Sequence, residues 1–264
     1  MERTSSIYLG DYTALTVTTR HQKMYVDTRD ISVAPHLMIH GYWEEWITKV
    51  FLKLLKPGMH LIDIGANFGY YTLLGAHGVG PQGRVTAFEA NPHLVGLLKQ
   101  SVAINGYESI CKVVQKAVYS HPEKLSFEIC NKFMGGSSLH LSHNGEDHLG
   151  FKTERIEVEA TSLDDYLEAS DKVDFIKMDA ERSEAFILLG AENLLLRSKP
   201  IILMEYNDHM VLTRFEAPSD FLAYIEGFGY FAYAVELDSS LKQINADRIA
   251  TLGHCDIVLS PSKL

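Results

Sequence analysis

An α/β fold built on a doubly wound, mostly parallel sheet is the architecture that this 264-residue sequence predicts. Three observations predict it. Short apolar runs of strand length recur along the chain, stretches of helical spacing separate them, and turns rich in glycine and acidic residues stand where the runs end. Apolar runs without polar alternation suit strands buried on both faces, as in parallel sheets covered by helices.

Taken in order, residues 1 to about 33 are rich in Thr, Val and Tyr and read as a short strand or two ahead of the main fold. Residues 42–55 place Trp43, Trp46, Ile47, Val50, Phe51 and Leu54 at helical spacing, and Lys56-Pro57-Gly58 stops that helix. The first sheet strand is His60–Ile64, followed by a helix from about Tyr70 to His77. A second strand at 83–89 leads into a helix over 92–105, and a third strand spans Cys111–Val118. An irregular insert follows at about 120–160, with Gly135-Gly136-Ser137-Ser138 and several histidines. The fourth strand is Val173–Met178, then a helix from about Ser183 to Leu196, and the fifth strand is 200–205. A helix near 219–228 and strands around 230–235 and 256–259 complete a sheet of seven strands, the last antiparallel. The expected division is 1–56 for N-terminal strands and a lid helix, and 57–264 for the ligand-binding domain.

Composition narrows the function. A hydrophobic content of 46% belongs to a chain with a real core, and the formal net charge of −10 argues against a nucleic-acid partner. Cys111, Cys130 and Cys255 are odd in number and widely spaced, so neither a disulfide framework nor a zinc site is expected. No signal-peptide pattern opens the sequence, and nothing reaches the ~18 uninterrupted apolar residues of a membrane helix. A cytoplasmic protein acting on a small molecule, without membrane attachment and free to form a homo-oligomer, is the expectation.

The turn after the first strand reads Asp63-Ile64-Gly65-Ala66-Asn67-Phe68-Gly69. Ligands of open α/β sheets sit at the carboxyl ends of the strands, which is where this turn falls. Asp63 ends an otherwise apolar strand, where a charge is costly without a partner. Glu89 ends the second strand, ~20 residues beyond the turn, where nucleotide folds keep an acid for ribose hydroxyls. A dinucleotide site needs G-x-G-x-x-G to reach a pyrophosphate, but Asn67 stands in place of the second glycine and Asp63 would repel phosphate. S-adenosylmethionine has no phosphate and carries an ammonium and a sulfonium, so acidic surroundings favour it.

Four segments then resemble the FkbM family of methyltransferases: Asp63–Thr72; Val85–Pro92 with Asn105; Thr161–Leu167; and Val173–Glu184 with Leu189-Gly190-Ala191. The resemblance implies a class I methyltransferase (Rossmann-like) fold, with a small N-terminal extension, holding S-adenosylmethionine over the first two strands. It implies that Asp63, Gly65, Ala66, Asn67 and Gly69 line the methionine part. Glu89 would take the ribose diol, Ala90 and Asn91 would lie beside the adenine, and Ala117 with Val118 would form its edge. The family pattern D-x-E-G-x-E reads here Asp179-Ala180-Glu181-Arg182-Ser183-Glu184. Arginine replaces the glycine, so either the turn never requires glycine angles or this site differs; Arg182 could pair with Glu181 or meet an acidic substrate.

Methyl transfer to a hydroxyl calls for alignment and a general base. Asp179 and Glu205 end the fourth and fifth strands and His209 follows, making these three the catalytic candidates. His36 and His40 precede the aromatic helix, which as a lid would present Tyr42, Trp43 and Glu44 to the ligands. Asp179, Glu205 and Asn207 also offer oxygen ligands to a magnesium ion. O-methylation of a natural product or sugar leads the functional readings. Methylation of nitrogen or of a macromolecule, and a non-catalytic nucleoside-binding module, are the alternatives.

Overall fold

The computed structural model describes residues 5–139 and 150–264; His140, His143 and His148 of the insert lie outside them. The chain opens with three antiparallel strands, β1 (Ser6–Gly10), β2 (Thr13–Val17) and β3 (Lys23–Asp27). Three stand where one or two were expected. Asp11 and Tyr12 both take positive φ, 44° and 58°, as a two-residue type I′ hairpin loop requires, and fold the stretch back on itself. Helix α1 (Val33–His40) contains both His36 and His40, and α2 (Glu45–Leu54) buries Ile47, Val50, Phe51 and Leu54 as their spacing predicts. Trp43 and Glu44 precede α2 rather than lying within it, because Glu44 sits at φ 42°.

The strand–helix alternation follows: β4 (His60–Ile64), α3 (Tyr70–Val79), β5 (Arg84–Glu89), α4 (Pro92–Ile104) and β6 (Cys111–Gln115). The predicted third strand ends at Gln115, and Ala117–Val118 forms β7 in a different sheet with β8 (Glu123–Ile129) and β9 (Glu154–Thr161). The expected irregular insert is thus mainly an antiparallel ladder, running from Glu123↔Ala160 to Ile129↔Glu154. After α5 (Leu163–Tyr166) come β10 (Phe175–Met178), α6 (Glu184–Leu189) and α7 (Glu192–Ser198). One predicted helix has become two, broken at Gly190, where a Cβ would lie 2.4 Å from the Tyr119 carbonyl oxygen. The chain ends with β11 (Ile201–Asn207), α8 (Asp208–Val211), α9 (Pro218–Gly227), β12 (Phe231–Val235), β13 (Leu241–Gln243), α10 (Ala246–Ile249) and β14 (His254–Ser260).

The main sheet has the order β13-β12-β14-β11-β10-β4-β5-β6, eight strands rather than seven. The extra edge is β13, which pairs antiparallel with β12. β14 runs antiparallel between β11 and β12, as expected of the last strand, whereas β6, β5, β4, β10 and β11 are parallel. Two apolar layers cover its faces: Leu61, Phe175, Leu203 and Val258 pack against α2 and α3 on one, and Ile62, Ile176, Met204 and Ile257 face α6, α7 and α9 on the other. The N-terminal sheet is tied to α4 by polar contacts. The Tyr25 N–H donates to Ser101 Oγ at 3.0 Å, and His93 Nε2 lies 2.7 Å from the buried Asp27 carboxylate, which also grips Arg29.

Candidate active site

Side chains alternate faces along a strand, so each strand repeats its facing every second residue. Leu61, Phe175, Leu203 and Val258 face the α2–α3 layer; two positions on, toward the carboxyl end of the parallel strands, the same face carries Asp63, Lys177 with Asp179, Glu205 and, on antiparallel β14, Asp256. Register confirms the juxtaposition, since Asp63 pairs with Lys177 and Glu205 with Asp256. The apolar layer therefore gives way, at one end of the sheet, to a charged floor at the β4/β10 switch point, where open α/β sheets form their crevice.

Two adjoining cavities occupy this crevice and share Gly65, Asn67, Gly135, Asp179 and Glu181. The narrower, about 70 Å³, has apolar walls from Phe88, Leu94, Ala117, Val118 and Phe127, with Glu89 and Ala90 at the end of β5. Glu89 is buried, and its two oxygens accept the N–H groups of Asn67 and Asn91, each at 2.8 Å. Burial pushes its pKa up, and those N–H bonds pull against the shift. Asn67 reaches this position in the left-handed region, at φ 52°. A carboxylate so held keeps lone pairs for a vicinal diol. Ser183 Oγ, buried without a partner, lines the same groove. An apolar slot, a fixed acid and an orphaned hydroxyl fit a nucleoside, and the carboxyls of the adjoining cavity fit an ammonium and a sulfonium. The residues present thus suit S-adenosylmethionine.

The wider cavity, about 310 Å³, has aromatic walls from Trp43, Phe68, Tyr70, Tyr71 and Phe133 above the charged floor. Lys177 is 1% exposed at its side chain, 3.4 Å from Asp179 and over the Tyr71 ring at 5.0 Å. Burial works against its charge, but Asp179, Asp256, Glu44 and Asp63 outweigh burial and raise its pKa. The acids respond in turn. Burial pushes Asp63 up to about 6 against the opposing bond from the Thr72 hydroxyl at 2.5 Å. Burial, then neighbouring carboxylates, push Glu44 up to about 8, and Glu205 also rises. His254 Nε2 lies 2.5 Å from Glu205 Oε1, at the rim of the cavity.

Not every residue expected here lines the cavities. Asp63, Gly65, Ala66, Asn67, Glu89, Ala90, Ala117, Asp179 and Glu205 do. Asn91 supports Glu89 through its N–H and caps α4 by accepting the His93 N–H at Oδ1. Gly69 caps α3 at φ 94°, where a Cβ would meet Leu98 at 2.2 Å; its role is packing. His209 is exposed on α8, and the histidine at the cavity is His254. No sequence pattern marked His254 or Asp256, because β14 is distant in the chain and enters the crevice only through antiparallel pairing. Trp43 and Glu44 do reach the cavity. Gly135 and Ser137 line the narrower groove, in a turn held by Asp30, whose buried carboxylate accepts the N–H groups of Val33, Ala34 and Met134. Asn207 accepts the His209 N–H instead of joining the acids. Glu184 joins Asp179 and Glu205, with one carboxylate oxygen of each within 4.8 Å of the others. Burial pushes Glu184 up to about 8.

Comparison with known proteins decides the family. The model of the methyltransferase FkbM domain matches residues 63–232. The chain belongs to the FkbM methyltransferase family. The curated relatives match over shorter stretches. A protein-L-isoaspartate O-methyltransferase of Triticum aestivum is 38% identical over 58 residues, 22% of this chain and 25% of that one. A demethylmenaquinone methyltransferase of Symbiobacterium thermophilum is 28% identical over 28% of this chain and 30% of its own. The chain thus spans about a quarter of the length of such relatives. Among solved structures, methyltransferase FkbM from Methylobacillus flagellatus KT shares 16% identity at a TM-score of 0.47, over 79% of this chain and 49% of that one.

Within this FkbM domain, the substituted turn resolves one question. Glu181 and Arg182 have φ of 49° and 74°, so the turn does require glycine-like angles, and Arg182 adopts them at a steric cost of roughly 1–2 kcal/mol. Arg182→Gly is expected to be more stable than Arg182→Ala by about 0.5–1 kcal/mol, because both lose the guanidinium and its attraction to Glu181 and only alanine keeps the strained angles. Thermal unfolding of the two variants checks this, and equal Tm values would overturn it.

Proposed function

We propose that this FkbM-family protein transfers the methyl group of S-adenosylmethionine to a hydroxyl of a small molecule, such as a sugar or natural product. The observation that carries the reading is the Glu205–His254 pair on the floor of a cavity that shares its wall with the nucleoside groove. When bound, S-adenosylmethionine supplies an activated methyl group and a neutral thioether leaving group. The protein's own task is to place an acceptor oxygen against that carbon, exclude water and take the proton. Trp43, Tyr70, Tyr71 and Phe133 enclose the cavity and limit water. Glu205, with its raised pKa, receives the hydroxyl proton, and His254, more than half exposed, passes it to solvent. Asp179 is engaged by Lys177 and holds the floor in place. No described helix is long and apolar enough to cross a membrane.

The test is release of S-adenosylhomocysteine from a panel of hydroxylated acceptors, followed in Glu205→Gln. A lost general base should lower kcat by about 10²–10⁴-fold, with cofactor affinity unchanged. Turnover of an acceptor within threefold of the parent would reject the base and point instead to a neutral amine as the methylated group.

A further inference from the structure

The acceptor cavity gathers more carboxyl groups than its cations can answer. Its lining brings together Glu44, Asp63, Asp179, Glu181 and Glu205, against Lys177 and the exposed His254. It opens into an outer cleft of about 360 Å³ that adds Asp256, Trp46 and Glu236. Glu236 is neutralised by Arg248 at 2.5 Å and Lys242 at 3.6 Å, and it leaves the count. S-adenosylmethionine contributes one net positive charge, so with Lys177 two cations face six carboxyls. Burying unpaired carboxylates is expensive, and such a site is completed by a cation or by protons.

A separate observation points to a ligand in the same place. The Tyr71 hydroxyl is buried near Thr48 and makes no hydrogen bond of ordinary length and angle, although its residue lines the cavity. The charges of Glu44 and Asp256 act on it. A buried hydroxyl left unpaired costs about 1–3 kcal/mol, which a bound donor or acceptor would recover. Trp43, Tyr70 and Tyr71 on the walls, with Trp46 in the outer cleft, also suit a cation, because ring faces attract positive charge.

We infer that the acceptor carries a protonated amine beside the hydroxyl to be methylated, as in an amino sugar or amino alcohol, and that the amine is received where the cavity meets the outer cleft, by Glu44, which lines both, with Asp256 and Tyr71. This rests on the hydroxyl-methylation reading above and names its substrate class. Phosphorylated and carboxylated acceptors are excluded by the same charges. In the free protein the two carboxyls carry protons more readily than usual, burial pushing Glu44 up to about 8 and Asp256 up to about 6. An arriving ammonium therefore releases protons from the site.

The test uses the full chain saturated with S-adenosylhomocysteine, titrated calorimetrically with D-glucosamine, kanamycin A and spermidine, and with the N-acetylated form of each. At least one amine should bind tenfold or more tightly than its acetylated counterpart. Glu44→Gln combined with Asp256→Asn should reduce that ratio below threefold at an unchanged Tm. If this double variant fails to fold, Tyr71→Phe serves instead and should weaken the amine at least threefold while sparing the acetylated form. Equal binding of amine and amide, or binding of neither, overturns the inference. Methylation of neutral polyols in that event leaves the hydroxyl reading standing, and its absence from every hydroxylated compound removes that reading as well.

Discussion

Gly65→Ala is expected to lower the melting temperature by about 10 °C and to abolish cofactor binding. The reason lies in two strand ends rather than in the ligand. A Cβ on Gly65 would lie 1.8 Å from the carbonyl oxygen of Asp179, at the end of β10, and the residue sits at φ 74°. Both obstacles are backbone, so no side chain can rotate away. Separating β4 from β10 and holding alanine in the left-handed region together cost roughly 3–5 kcal/mol. The same movement displaces Asp179 and Asn67, which both cavities share. Gly69→Ala provides the contrast, because its Cβ would meet only the tip of Leu98, which can shift. Differential scanning calorimetry of the two variants should rank them in that order, and equal Tm values would disprove the account.

Glu89→Ala is expected to weaken S-adenosylmethionine binding by at least 100-fold, with Glu89→Gln intermediate. The side chain has two tasks. It is the acceptor for the N–H groups of Asn67 and Asn91, and both lose their partner in alanine, at about 1–3 kcal/mol for each unsatisfied group. It also presents its remaining lone pairs to the nucleoside groove. Glutamine restores one acceptor oxygen but turns an amide N–H₂ toward the other donor, so about half of the support is lost. Titration calorimetry gives the affinities. Ala and Gln variants of equal, undiminished affinity would remove Glu89 from the site.

How the site came to be legible differs residue by residue. The Asp63–Gly69 turn and Glu89 could be read because strand ends, glycine spacing and an acid ~20 residues on are local features with a direct physical meaning. The purpose of the glycines could not. Gly65 lines both cavities, but a Cβ there would first meet the carbonyl of a residue more than a hundred positions away. The seven strands were legible as apolar runs, but β13 is a short, exposed edge strand without an apolar pattern. The insert at 120–160 hid its ladder because β8 and β9 alternate exposed charges with partly buried residues and pair across a long gap.

The sequence by itself determined the fold class, the place of the nucleoside groove and the family, since each rests on patterns within a strand, a turn or a contiguous motif. Tertiary structure alone decided which charges meet in the wider cavity and the cleft beside it. Glu44 arrives from the turn before α2, Glu205 from β11, and His254 and Asp256 from antiparallel β14, and only strand pairing and helix packing bring them together near Lys177. The physical reason is that electrostatic cost depends on distance and burial, which the order of residues does not contain. The doubly wound sheet predicted at the outset is present with an eighth strand, and its charged end forms the floor of the wider cavity.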